Sequence, residues 1–305
     1  MGKFSNANSA KYMKAVSLTK LYEDIYYKSS DGLTLYARDY DDGLGKPVIL
    51  ALHGLTRNSA DFHDLALYLN DRFRVITVDQ RGRGRSDYDP DPTQYRPDIY
   101  CADMFRLLAT LNLEKVIVIG TSMGGIMAMM MATQNADIFR AAIINDIGPV
   151  IDPAGLKRIQ GYVGVARDFA SWEEAAKAIE MQQGAEVFPL YTSADWLSFA
   201  KRTCTEKPDG RVQFAYDPAL ANPFKEDETV SSPVDMWPFF AALKSTPILT
   251  IRGALSDILS EQTVEKMARI HPDFTAVTIP DIGHAPMLNE AQSLKAIDRF
   301  LEPFK

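Results

Sequence analysis

The feature that most constrains this chain is Gly120-Thr121-Ser122-Met123-Gly124, set between an apolar β-branched run and an apolar helical one. Val116-Ile117-Val118-Ile119 reads as a strand, and Ile126-Met127-Ala128-Met129-Met130-Met131 reads as a helix without proline. A G-x-S-x-G turn in that context forces the serine backbone into a strained conformation and lifts its hydroxyl clear of the sheet edge. Glycines at the two ends leave room where a Cβ would strike neighbouring backbone. The helix N-terminus beneath the turn favours developing negative charge. Ser122 is therefore the candidate nucleophile. The plainer alternative is a βα turn that merely packs helix on strand.

A serine hydroxyl needs a base, and the chain has only four histidines. His284 lies in the loop Asp281-Ile282-Gly283-His284-Ala285-Pro286, after the strand-like Phe274 to Ile279. Loops at the carboxyl ends of strands are where α/β sheets place their sites, so His284 is the candidate base. His271, before Pro272 at the end of a charged helix, suits a helix-terminal charge. His63 reads as surface, and His53 reads as loop-shaping. Two carboxylates compete to orient the imidazole. Asp257 follows the strand Ile248 to Gly253, and Asp146 follows Ala141 to Asn145. Either reaches the carboxyl edge of a parallel sheet. The chain order Ser, Asp, His with the acid after the later strand favours Asp257. Asp257 alone would otherwise read as a turn or cap aspartate.

Five separated pieces now resemble one family, the α/β-hydrolases, over about residue 22 to the end. They are His53-Gly54-Leu55, the Asp79-Gln80-Arg81-Gly82-Arg83-Gly84-Arg85-Ser86 turn, the Gly120 to Gly124 elbow, Arg252-Gly253 with Asp257, and Gly283-His284. The resemblance implies the α/β-hydrolase fold, with a mostly parallel eight-stranded sheet, helices on both faces and a helical cap. It also implies an oxyanion hole from the backbone N–H groups of Leu55 and Met123. Epoxide hydrolases and haloalkane dehalogenases are similar but carry Asp where this chain has Ser122. Asp146 at a strand end resembles the hydrolases of pyridoxine-breakdown succinates, whose acid lies at that earlier strand.

The pattern along the chain agrees. Strand and helix signals alternate from Val48 onward, which implies a parallel sheet covered on both faces. The alternation breaks between Gly148 and Leu243, where helix-start signals such as Ser171-Trp172-Glu173-Glu174 and Thr192 to Asp195 occur among prolines. The expected division is an extension over 1–21, a core over 22–148 and 243–305, and a helical cap over 149–242. Cap aromatics such as Trp172, Trp196 and Trp237 read as cap packing before pocket lining. The methionines after the elbow read as a buried central helix. Arg57, two residues past Leu55, could meet an acidic group on a substrate; a solvent-facing loop arginine is the plainer alternative.

A net charge of −7 argues against nucleic acid as a partner, because phosphate binding needs a basic surface. Arg81, Arg83 and Arg85 are the exception, and they read as a solvated turn with internal salt bridges. Cys101 and Cys204 show no metal or redox spacing and read as free thiols. No apolar leader and no membrane span is visible, so the expected location is cytoplasmic. No metal and no cofactor is expected. The expected activity is a serine esterase or lactonase acting through an acyl-enzyme on a small molecule, with a homodimer left open. The same apparatus could cut an activated C–C bond or transfer an acyl group. A ligand receptor or a scaffold on this fold is the non-enzyme alternative.

Overall fold

A computed structural model describes residues 21–41, 43–184, 186–223 and 235–305. The expected extension over 1–21 thus lies, save its last residue, outside the described residues. Eight strands form the main sheet: β1 (Glu23–Lys28), β2 (Thr34–Tyr40), β3 (Val48–Leu52), β4 (Arg74–Asp79), β5 (Val116–Thr121), β6 (Phe139–Asn145), β10 (Ile248–Gly253) and β11 (Phe274–Ile279). Their order is β1-β2-β4-β3-β5-β6-β10-β11. β2 runs antiparallel to both neighbours, and every other pairing is parallel.

The inner strands are apolar on both sides because both faces are covered. Along β3, Leu50 and Leu52 join one apolar layer while Ile49 and Ala51 join the other. Helices α2 (Pro97–Thr110) and α3 (Met123–Gln134) fill the first layer. Helices α1 (His63–Leu69) and Ala291–Leu301 fill the second. α3 buries Met127, Met129 and Met131, so these methionines pack the core as the sequence implied.

The insertion between β6 and β10 carries helices α4 (Pro153–Tyr162), α5 (Trp172–Gln183) and α6 (Ser193–Thr203). Ser171 caps α5 through the Glu174 amide, and Thr192 with Asp195 forms a full capping box on α6. The insertion also holds something that periodicity missed: a second sheet in the order β7-β9-β8, from Asp168–Phe169, Val212–Phe214 and Cys204–Glu206. Strands of two or three residues are too short to show an alternation. Trp196 is buried against Phe188, Tyr191 and Phe199. Among the described residues, no helix is long and apolar enough to cross a membrane.

Candidate active site

Ser122 sits between β5 and α3 with φ 51° and ψ −117°, a conformation that non-glycine residues rarely adopt. Close packing holds it there. A Cβ on Gly120 would lie 2.5 Å from the Gly124 carbonyl oxygen, and one on Gly124 would lie 2.0 Å from the Leu52 carbonyl oxygen. The two glycines are what allow α3 to press onto β3 and β5. The Ser122 amide donates to the Asn145 carbonyl at 3.0 Å, which ties the turn to the end of β6.

His284 Nε2 lies 2.9 Å from Ser122 Oγ. Its Nδ1 lies 2.8 Å from Asp146 Oδ2. The carboxylate behind the imidazole is therefore that of Asp146, and the expectation for Asp257 is corrected. Asp146 follows β6 directly and has φ 56°. Its carboxylate is fully buried and collects three donors. Gly253 N–H donates to Oδ1 at 2.8 Å, and Ser256 Oγ and His284 donate to Oδ2. Asp257 instead accepts two bonds from Arg158 of α4, at 2.6 and 2.9 Å. Burial opposes its ionised form, but the Arg158 bonds and charge outweigh burial and hold its carboxyl below the usual range. The rival site that sequence reading kept open is thus the one occupied. Arg158 was the missing signal, and it lies far away in the chain.

The loop after β3 faces the elbow. The Gln80 amide donates to His53 Nε2 at 3.1 Å, so Nδ1 carries the proton and donates to the Gly54 carbonyl at 2.6 Å. Burial, then the nearby Arg83 charge, pushes the His53 pKa down to about 3. The ring is a neutral strut, which matches its loop-shaping reading. In a trans peptide, the Leu55 N–H points opposite to that pinned carbonyl. Arg83 Nε donates to the Leu55 carbonyl at 2.9 Å, and its Nη2 lies 3.7 Å from Met123 Sδ. A buried arginine thus touches both residues expected to form the oxyanion hole. Neither the Leu55 nor the Met123 amide donates to a protein acceptor among the described residues.

The arginine-rich turn carries the expected salt bridges at Arg81 and Arg85, but it is not the solvated turn expected, because Arg81 and Arg83 are fully buried. Arg81 is buried and bonds Asp103, Asp89 and Asp31, while Arg85 pairs with Asp24. Arg83 has no carboxylate partner among the described residues and donates to backbone carbonyls. His271 Nε2 bonds the Leu243 carbonyl, and His63 Nδ1 bonds the Tyr40 hydroxyl. Both cysteines are buried free thiols, and burial pushes each pKa up to about 12. No group of three potential metal ligands occurs among the described residues.

A cavity of about 70 Å³ opens over Ser122 and His284. Gly54, Leu55, Thr56 and Arg57 line it from the core, and Ile159, Tyr162, Gln183, Phe188 and Phe199 line it from the insertion. Of the cap aromatics, Tyr162, Phe188 and Phe199 reach the cavity, whereas Trp172, Trp196 and Trp237 do not line it.

A sequence profile of the alpha/beta hydrolase fold matches residues 47–291. A 3-hydroxybutyrate-oligomer hydrolase of Cupriavidus necator is 33% identical over 268 residues, covering 86% of this chain and 90% of that protein. A 2-(acetamidomethylene)succinate hydrolase of Mesorhizobium japonicum is 30% identical over 274 residues, covering 88% and 92%. The crystal structure of an alpha/beta hydrolase from Novosphingobium aromaticivorans superposes with a TM-score of 0.87 at 46% identity, over 92% of this chain and 98% of that one. Fold, elbow and relatives converge: the chain belongs to the α/β-hydrolase family, and it is a hydrolase.

Proposed function

We propose that this protein hydrolyses a small carboxylic ester or lactone through an acyl-enzyme on Ser122. The observation that carries this reading is the unbroken chain Ser122 Oγ–His284–Asp146, with bonds of 2.9 and 2.8 Å. His284 Nε2 accepts the Ser122 proton as Oγ attacks the ester carbonyl carbon. The carbonyl π pair moves to oxygen, and the Leu55 and Met123 N–H groups receive that charge. Two such fixed donors are worth several kcal/mol in the transition state. The imidazolium, held by Asp146, returns the proton to the leaving alkoxide as the C–O bond breaks. Water then repeats the cycle on the acyl-enzyme, which releases the acid and restores Ser122. A lactone would leave as one hydroxy acid.

The first of these relatives supports ester chemistry, and both support a small anionic substrate. One is named for oligomers of a hydroxy acid and the other for a substituted succinate. The second also supports a narrower reading, a succinate-type substrate, because an acid directly after β6 is the arrangement that those hydrolases are expected to share.

Turnover of p-nitrophenyl acetate and butyrate tests the proposal. Wild type should show many turnovers and lose them to a fluorophosphonate that labels Ser122. Ser122→Ala should fold normally and lose about 10⁴-fold or more in kcat. A single burst in wild type would favour the receptor alternative, and retention of more than a few per cent of kcat in Ser122→Ala would remove the serine from the chemistry.

A further inference from the structure

The same loop that presents Leu55 carries Arg57 into the cavity. Gly54 separates this arginine from the nucleophile: a Cβ there would lie 3.6 Å from Arg57 Cγ and 3.6 Å from Ser122 Cβ. Arg57 is the one arginine or lysine lining the cavity among the described residues. It also lines the adjoining recess with Tyr162, Gln182, Gln183 and Tyr216, so it stands at the junction of the two. Its side chain is only 15% exposed.

The guanidinium is held in place but not used up. Nε and Nη2 both donate to one oxygen of Asp61, at 2.9 and 2.5 Å. The plane lies over Phe199, with Cζ 3.8 Å from the ring centroid. Met287 Sδ approaches Nη2 at 3.5 Å. Nη1 donates to no protein acceptor among the described residues. A guanidinium can take one carboxylate on its Nε side and another on its Nη1–Nη2 end. Asp61 occupies the first position; at the second, Met287 Sδ accepts from the remaining Nη2 N–H, and Nη1 has no protein acceptor among the described residues. A long, flexible side chain fixed on three sides in a pocket beside a nucleophile loses little further freedom on binding a ligand, which is the condition for selective recognition.

We propose that Arg57 is a carboxylate-binding residue of this site, so that the substrate is an ester bearing a free carboxylate. That carboxylate docks on Nη1, displacing Met287 Sδ where it also takes Nη2, while the ester carbonyl lies over Ser122. Asp61 fixes the guanidinium plane and keeps the pair neutral until the substrate adds its charge. The inference rests on the ester-hydrolase reading, and it specifies the charge that the substrate must carry. Lysine would supply the charge without the fork.

Two matched pairs test it. The linear dimer of 3-hydroxybutyrate and its methyl ester place the charge on the alcohol side. Monoethyl succinate and diethyl succinate place it on the acyl side. Wild type should prefer the charged member of at least one pair by about tenfold or more in kcat/KM, chiefly through KM. Arg57→Met should bring that ratio near one, and Arg57→Lys should keep part of it. The ratio within one protein is independent of how much of a variant folds. Preference for the neutral member in both pairs, or an unchanged ratio in Arg57→Met, would overturn the proposal. Should wild type hydrolyse neither pair, the ester reading fails by itself. Calorimetry of glutarate binding to Ser122→Ala, with and without Arg57→Met, then decides on Arg57. Equal affinity in the two proteins would overturn the proposal, and a loss of about tenfold or more would uphold it.

Discussion

Asp146 and Asp257 follow adjacent strands of one sheet, and their surroundings could hardly differ more. Asp146 is fully buried, and its donors are a backbone amide, a hydroxyl and an imidazole. Asp257 is half-buried and faces a guanidinium from the insertion. The first arrangement contains no competing cation, so the carboxylate is free to stabilise an imidazolium. The second has already satisfied its charge, and a carboxylate committed to an arginine has less to offer a histidine. The loop after β10 is not idle, however. Gly253 and Ser256 from that loop hold the Asp146 carboxylate. The expected acid loop therefore supports the carboxylate that bonds His284, one strand away.

Exchange of Asp146 for Asn gives the largest expected effect on this comparison. Asn keeps the shape but cannot stabilise the imidazolium, and it offers an amide that favours the wrong tautomer. The kcat should fall roughly 10³–10⁴-fold on a p-nitrophenyl ester, with KM little changed. A loss below tenfold would break the comparison and return the role to another carboxylate.

Next comes Ser256, the link between the two regions. Its Oγ donates to Asp146 Oδ2 at 2.6 Å and accepts from the Ile258 and Leu259 amides at 3.2 and 3.1 Å. Ser256→Ala removes one donor from Asp146 and leaves two amides to find water. The expected loss is about tenfold in kcat, with roughly 1–2 kcal/mol of stability lost as well. Urea unfolding beside the rate assay separates the two. A stability loss with kcat intact would show that Ser256 serves its own loop and not the acid.

How the sequence divides into legible and illegible parts follows the same contrast. Ser122, His284 and the alternating strands are fixed by local rules: glycines where backbones meet, apolar runs on both-sided strands, a loop at a strand end. Those signals span a few residues and survive in one dimension. The choice between Asp146 and Asp257 depends on Arg158, which the fold brings from α4 to the loop after β10. Nothing near Asp257 in the chain announces that partner. Arg83 is similar: the turn read as salt-bridged, yet this arginine spends its donors on the Leu55 and Arg81 carbonyls. The small sheet of the insertion was hidden because pairing of two- and three-residue strands is a tertiary fact. Long-range satisfaction of polar groups is what a single sequence conceals.

The smallest expected effect tests the other half of the comparison. Asp257→Asn removes the ion pair with Arg158 but leaves Asp146, Ser256 and Gly253 in place. The kcat should stay within about threefold of wild type, because no reacting group loses a partner. The stability cost at neutral pH should be about 1 kcal/mol or less, since the pair is partly exposed and screened by solvent. Its pH dependence has a definite sign. The Asp257 carboxyl is held lower in the folded protein than in the unfolded chain, so the unfolded chain binds the proton first. The pair's contribution is therefore present above the unfolded carboxylate range, near pH 4, and is lost as pH falls through the folded value below it. Thermal unfolding from pH 7 to pH 3 should show wild type and Asp257→Asn converging at the acid end, with the gap widest at neutral pH. A gap that is constant with pH would mean that Asp257 contributes by packing and not by charge. A collapse of kcat at neutral pH would mean that the two strand ends share the acid's role.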